Sequence, residues 1–237
     1  MITSKYDYKP INRKEVEGKR HYLTPDGTPV ASVTTILDAT KPQEARDKLN
    51  NWAEREDSRH GEGTAAAITE EAAGRGTKMH EFLEEYCKTD AITPVVGRLK
   101  NPRESIRTTL GYKMANIVVV RGLQQLDECW AVEAPLYFSG IYAGTTDCIG
   151  LFEGKPTIVD FKQTNKPKER EWIDDYFMQL CAYAEAHNHM FGTEIKNGVI
   201  LMCSKDLQFQ RFDLKDEDYT KYMHMWWDRV AEYYSEK

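Results

Sequence analysis

No stretch of the 237 residues approaches the roughly 18 consecutive apolar positions that a membrane-spanning helix needs, so a helical membrane protein is not expected. The first 19 residues hold neither a secretory apolar segment nor the acid-poor, Arg-rich character of a transit peptide, and a cytoplasmic location follows as the expectation. Cysteine is sparse. Cys87, Cys129, Cys148, Cys181 and Cys203 form no Cys-x-x-Cys pair, their odd number argues against a disulfide framework, and they lack the clustering of an iron–sulfur site. Buried, reduced thiols are expected. There is no internal repeat, low-complexity tract or Ser/Gly/Pro-rich linker, so residues 1–237 read as one domain, long enough to bury a core without covalent staples. A phosphate-cradling nucleotide loop is missing too. Residues 150–155 have one residue too few between their glycines, and Pro156 stands where Ser or Thr belongs, so no nucleotide cofactor is expected. Positive charge is also short, with 32 Lys and Arg against 38 Asp and Glu and a net charge of −6. That balance is awkward for a protein that grips nucleic acid by neutralising phosphates, unless the surplus acid is gathered where metal ions bind.

What is present has a clear order. An arm over residues 1–19 leads to a hairpin at 20–37, where Thr24-Pro25-Asp26-Gly27 supplies the turn and the β-branched run Ser32 to Leu37 supplies the second arm. From 42 to 126 the composition is helical, with glycine-marked breaks near 61–63 and 74–76 and a new helix from about Thr77. A further helix at 103–126 carries Arg103, Arg107 and Lys113, a phosphate-facing surface or a solvated face. The period then changes. Residues 129–138, 141–152 and 156–162 read as three strands of an antiparallel meander. A helix at 169–190 puts Trp172, Tyr176, Phe177, Leu180 and Ala184 on an apolar side, strands follow at 198–204 and 208–213, and a helix at 217–234 ends the chain. In that last helix the spacing of Tyr219, Met223, Trp226, Val230 and Tyr233 is a packing stripe rather than a base-stacking surface. The predicted architecture is α/β (α+β), a central mixed sheet flanked by helices with residues 127–237 as its catalytic sheet.

The chemistry concentrates in Thr146-Asp147-Cys148-Ile149-Gly150 and Ile158-Val159-Asp160-Phe161-Lys162. Neighbouring antiparallel strands bring Asp147 and Asp160 together, and alternation puts Asp160 and Lys162 on one face. Two carboxylates and a backbone carbonyl, that of Phe161, suit Mg²⁺ or Mn²⁺, which takes hard oxygen ligands and keeps waters that a phosphate can displace. The metal lowers the pKa of a bound water, while Lys162 orients that water or stabilises the pentavalent transition state. A surface Asp-x-Lys ion pair is the plainer alternative. Gln179 and Tyr183, at i and i+4, can point from one helix face toward the same edge. His80 can ligate the metal, orient a water, or be structural. Glu133 is a second-metal or water-mediated ligand, or a solvated strand residue. Ser32, Thr34 and Thr35 offer hydroxyls to phosphates, and Arg75, Lys166 and Lys168 offer charge, against ordinary roles in strand formation and solubility.

Together, Gly76 to His80 (G-T-x-x-H), Val132 to Leu136 (V-E-A-P-L), Gly144 to Asp147 (G-T-T-D), Ile158 to Lys162 (I-V-D-F-K) and Gln179 to Tyr183 (Q-L-C-A-Y) resemble, in this order, the RecB-like branch of the PD-(D/E)XK nucleases. Residues 29–37 and 160–168 look like those of the mitochondrial genome maintenance exonucleases and their phage relatives. The resemblance implies a PD-(D/E)XK, restriction-endonuclease-like core. It also implies a metal-dependent exonuclease on single-stranded or flapped DNA, serving replication, recombination or repair in a phage or bacterial setting, with a possible recruiting protein. By position it makes Asp147 and Asp160 metal ligands, Lys162 the catalytic lysine, His80 a further site residue, and Gln179 with Tyr183 a supporting pair. Where that family has a small hydroxyl residue after the lysine, this sequence has Gln163, with Thr164 one place on, so the phosphate contacts there are expected to differ. A structure-specific or nicking endonuclease on the same fold, and a non-catalytic DNA-binding scaffold, are the alternatives.

Overall fold

The structure, a computed structural model, describes residues 2–16, 18–89 and 109–235. One mixed sheet organises them. Strands β1 (Asn12–Val16), β2 (Lys19–Leu23), β3 (Pro29–Ser32), β5 (Tyr142–Phe152), β6 (Lys155–Thr164), β7 (Asn197–Ser204) and β8 (Phe209–Leu214) lie in that order, and β4 (Leu126–Phe138) pairs with β5 alone. The expected meander is present, with β4–β5 and β5–β6 both antiparallel, while β3–β5 and β6–β7 are parallel. Strand β5 is paired with β4 from end to end. Its other edge is shared: β3 takes Tyr142 and Ala143, β6 takes Cys148 to Phe152, and Gly144 to Asp147 between them have no strand partner on that side. The sheet forks there.

Alternation along these strands feeds two cores. Ile149, Ile158, Ile200 and Met202 face α1 (Val33–Ala39), α5 (Asp174–Phe191) and α6 (Asp216–Ser235). Cys148, Val159, Phe161, Val199 and Leu201 face α3 (Thr64–Lys88) and α4 (Leu110–Arg121). Both sheet faces being covered explains the near-continuous apolar run of β7. Helix α2 (Gln43–His60), which has no buried residue, leans on α3.

Four local expectations need correcting. Residues 33–37 are helical, not the second arm of a hairpin: Ser32 caps α1 by accepting from Thr35 N–H at 3.0 Å, and Val33, Ile36 and Leu37 are buried at helical spacing. Burial of that stripe outweighs the small helix penalty of β-branched residues. The turn at residues 24–28 instead joins β2 to the short β3, and β1, inside the supposed arm, extends the sheet beyond β2. Helix α3 runs unbroken through Gly74 and Gly76 and packs closely on the end of β6, where a Cβ at 76 would sit 3.0 Å from Gln163 Cγ. Trp172 is not on the apolar side of α5 but in a 3-10 turn before it, 68% exposed. Of the helix expected at 103–126, the part before Thr109, with Arg103 and Arg107, lies outside the described residues, and Lys113 is exposed on α4. Elsewhere the five cysteines are buried and free, and the stripe on α6 packs into the core, with Tyr219, Trp226, Val230 and Tyr233 buried. No helix among the described residues is long and apolar enough to cross a membrane.

Candidate active site

The fork in the sheet is where the chemistry-bearing residues meet. Beyond the Cys148–Val159 pair, β5 and β6 separate, and Asp147 occupies the opening by accepting the Phe161 N–H on Oδ2 at 2.7 Å. Asp160, on the α5 side of β6, is 1% exposed. Lys162, two residues on and therefore on the same face, puts Nζ 2.8 Å from Asp160 Oδ1, which accepts its hydrogen bond. The ammonium also donates to Gln179 Oε1 at 3.1 Å, and Gln179 Nε2 donates to the Tyr183 hydroxyl at 3.2 Å. Lys162 is thus held from the sheet by Asp160 and from α5 by Gln179. The Tyr176 ring lies under it as well, with Nζ 4.9 Å from the ring centre, a contact whose only sequence signal was the i, i+3 spacing to Gln179.

From the opposite wall, α3 delivers His80, whose Nδ1 lies 3.3 Å from Asp147 Oδ1. Glu133 on β4 completes this side. One ligand atom each from His80, Glu133 and Asp147 lie within 4.8 Å of one another, and among the described residues this is the one such group. Glu133 has φ +49°, a left-handed conformation that costs a non-glycine residue on the order of 1–3 kcal/mol, so strain is localised at a ligand-bearing position.

The groups are in unequal protonation states. Burial pushes Asp160 up to about 6, a rise that Lys162 opposes and the Asp147 charge reinforces. Burial would also raise Asp147, but the charge and hydrogen bond of His80, followed by Lys162 and the Phe161 N–H, hold it below the usual carboxylate range. Glu133 is an exposed residue whose carboxyl is partly desolvated by its neighbours, and this, then Asp147 and Glu84, pushes it up to about 7. Burial opposes charge on His80 and Lys162, yet the neighbouring carboxylates outweigh it and raise both.

This donor set fits a divalent cation. An imidazole nitrogen and two carboxylates converge, and the buried Asp160 Oδ2 has no hydrogen-bond partner, although Lys162 Nζ is 2.7 Å away outside hydrogen-bonding geometry. Lys162 already offsets the Asp160 charge, so the fit to a divalent cation rests on the converging donors of His80, Glu133 and Asp147.

Known proteins resemble the chain along most of its length. No family model matches the chain. It is 27% identical to mitochondrial genome maintenance exonuclease 1 of Mus musculus over 237 residues, covering 94% of this chain and 67% of the relative. The Homo sapiens protein of the same name is 26% identical over 215 residues, covering 88% and 59%. The chain is a homologue of these exonucleases in sequence. It spans about three fifths to two thirds of the length of the relatives it matches. A crystal structure of a candidate exonuclease from Eubacterium rectale aligns with TM-score 0.42 at 12% identity, over 67% of each chain.

The remaining residues singled out in the sequence are spread around this fork. Ser32 is paired with Ala143 at the β3 end of the opening, but its hydroxyl caps α1 and contacts the Thr34 and Thr35 hydroxyls at 3.0 and 2.8 Å, and Thr35 donates to Arg20 O at 2.9 Å. Arg75 is buried and donates to Gln163 Oε1 at 3.1 and 3.2 Å and to Asn165 Oδ1, tying α3 to the end of β6. Thr164 is buried and donates to Lys166 O at 2.8 Å. Lys166 and Lys168, on the connection from β6 to α5, form no ion pair among the described residues.

Proposed function

We propose that this chain is a divalent-metal-dependent DNA exonuclease that hydrolyses phosphodiester bonds of single-stranded or flapped DNA, with residues 1–237 acting as one nuclease unit. The convergence of Asp147, Asp160 and Lys162 at the fork, faced by His80, carries the reading. His80, Glu133, Asp147, Asp160 and the Phe161 carbonyl would hold Mg²⁺ or Mn²⁺. Such an ion supplies Lewis acidity and a water of lowered pKa. The chain's own contribution is then positional. Lys162, fixed between Asp160 and Gln179, presents an ammonium to the scissile phosphate, and Tyr183 holds the Gln179 amide in the orientation that accepts from Lys162. Ser32, Thr34, Thr35, Arg75, Gln163, Thr164, Lys166 and Lys168 are the proposed DNA-side residues. Lys166 and Lys168 have the freest charge, whereas Arg75 acts through Gln163 and Asn165.

End-labelled linear single strands, flapped duplexes and covalently closed single-stranded circles, incubated with Mg²⁺ or Mn²⁺, test the reading. The expected result is digestion of linear and flapped DNA, intact circles, and complete inhibition by EDTA. Asp160→Asn and Lys162→Ala should each lower the rate by at least about a hundredfold. Cut circles would replace the exonuclease with an endonuclease on the same fold. Activity insensitive to EDTA and to both substitutions would remove the nuclease reading and favour a DNA-binding scaffold.

A further inference from the structure

The connection between β6 and α5 ends in Trp172, at 68% the most exposed large hydrophobic side chain among the described residues. Most of the indole faces water among the described residues. It forms one wall of an open cleft of about 640 Å³, whose opposite wall is the start of α2 with Pro42, Ala45 and Lys48. Two observations join this cleft to the fork. Trp172 lies four residues before Tyr176, whose ring contacts Lys162 Nζ. The same connection begins with Lys166 and Lys168, whose charges are unpaired among the described residues. Two unpaired lysines followed along one connection by a solvent-facing ring, beside a phosphate-handling lysine, suit a single strand held through phosphate contacts and base stacking.

The charges inside the cleft decide which part of a strand enters. Glu44 is paired with Lys48 at 2.6 Å, Asp175 with Arg229 at 3.2 Å, and Asp174 accepts from the Tyr222 hydroxyl at 3.1 Å. With Glu44 and Asp175 neutralised by these pairs, Glu171 and Asp174 leave the cleft net acidic, so a phosphate is repelled while an uncharged ring is not. We propose that Trp172 stacks on an unpaired base of the strand being cut, the base seated in the cleft between α2 and α5 and its phosphates turned outward toward Lys166 and Lys168. This rests on the nuclease reading above and adds a reason for single-strand preference: a paired base has no free face to offer.

Binding of a fluorescein-labelled oligo(dT) to the full chain in EDTA, followed by anisotropy, and steady-state cleavage of the same oligonucleotide in Mn²⁺ test the proposal on wild type, Trp172→Ala and Trp172→Phe. The alanine variant is expected to bind roughly 5- to 150-fold more weakly, the equivalent of the ~1–3 kcal/mol of one base–aromatic stack. Its KM should rise with kcat little changed, the phenylalanine variant should recover most of the affinity, and thermal stability should not move. A series of oligonucleotides with single abasic sites should contain one position at which wild type falls to the affinity of the alanine variant. Unaltered affinity and KM in Trp172→Ala, with cleavage intact, would overturn the stacking role and leave the nuclease reading standing. A wild-type chain that neither binds nor cuts the oligonucleotide would overturn both.

Discussion

Glu133 has the least comfortable environment of the residues at the fork. It holds a left-handed backbone, faces the charges of Asp147 and Glu84, and partial desolvation of its carboxyl pushes it up to about 7. An unfolded chain ionises this carboxyl above its ordinary value of 4.5, whereas the folded chain resists ionisation until about 7. Folding is therefore penalised as pH rises through that window, and the penalty is complete above it. Glu133→Gln should raise the melting temperature of the metal-free protein at pH 8 and have little effect at pH 4.5, while weakening Mn²⁺ binding in a calorimetric titration. An equal change in melting temperature at both pH values would show that the carboxylate is not strained by its neighbours. Legibility at this scale follows from periodicity. Asp160 with Lys162 could be paired from strand alternation, and Gln179 with Tyr183 from helical spacing, and each pair is in hydrogen-bonding contact with the other in the structure. The aim of Glu133 could not be read, because a positive φ inside a strand breaks the alternation on which such a reading depends.

Among the elements, α5 carries the most positional responsibility, and it is seated on glycines. A Cβ at Gly144 would lie 2.8 Å from Tyr183 Cε1, and one at Gly198 would lie 2.8 Å from Leu180 Cδ1. The G-T-T-D and Q-L-C-A-Y motifs are thus two halves of one contact: the glycine of the first makes space for the tyrosine of the second, which orients Gln179 and through it Lys162. Gly144→Ala and Gly198→Ala should both cost about 1–3 kcal/mol in a denaturant titration, since each overpacks the same helix. Only Gly144→Ala should also lower kcat, on the order of 10- to 100-fold, by displacing the Tyr183–Gln179 pair. Equal kcat values in the two variants would mean that Tyr183 fills space without positioning anything. Most elements could be read from their hydrophobic period, β4 to β8 and α5 to α6 included. Helix α1 could not, because its β-branched residues suit a strand, and the deciding signals are the Ser32 cap and the burial at positions 33, 36 and 37, which appear only once the chain has turned. Nor could the unbroken course of α3, since Gly76 reads as a break until β6 is seen packed against it.

Across the whole molecule, the forked sheet needs its free ends fastened, and the amino-terminal segment does part of this. Ile2 bridges to Cys129 on β4, Lys5 sits 4.2 Å over the Trp130 ring, and Tyr6 packs edge-on to His187 of α5 at 4.9 Å. The Tyr8 hydroxyl lies 2.9 Å from His187 Nε2, while His187 Nδ1 lies 2.7 Å from Thr193 Oγ1, whose own proton goes to Asn188 Oδ1. With its proton so directed, Thr193 can only accept, which makes Nδ1 the protonated nitrogen and Nε2 the acceptor of the Tyr8 proton. Burial depresses His187 to about 4 from an ordinary 6.5, which leaves it neutral at pH 7 in the folded chain. Between those values the unfolded chain binds a proton that the folded chain does not, so stability is full above pH 6.5 and falls as the pH drops toward 4, by up to about 3 kcal/mol. Denaturant titrations from pH 7 to pH 4.5 should show a steeper loss in wild type than in His187→Gln, which starts less stable but has no imidazole to charge. Parallel curves would mean that other groups account for the acid sensitivity. A steeper wild-type curve would identify the seam between the amino-terminal segment and α5, on the far end of the helix that holds Gln179, as the part of the fold that acid opens.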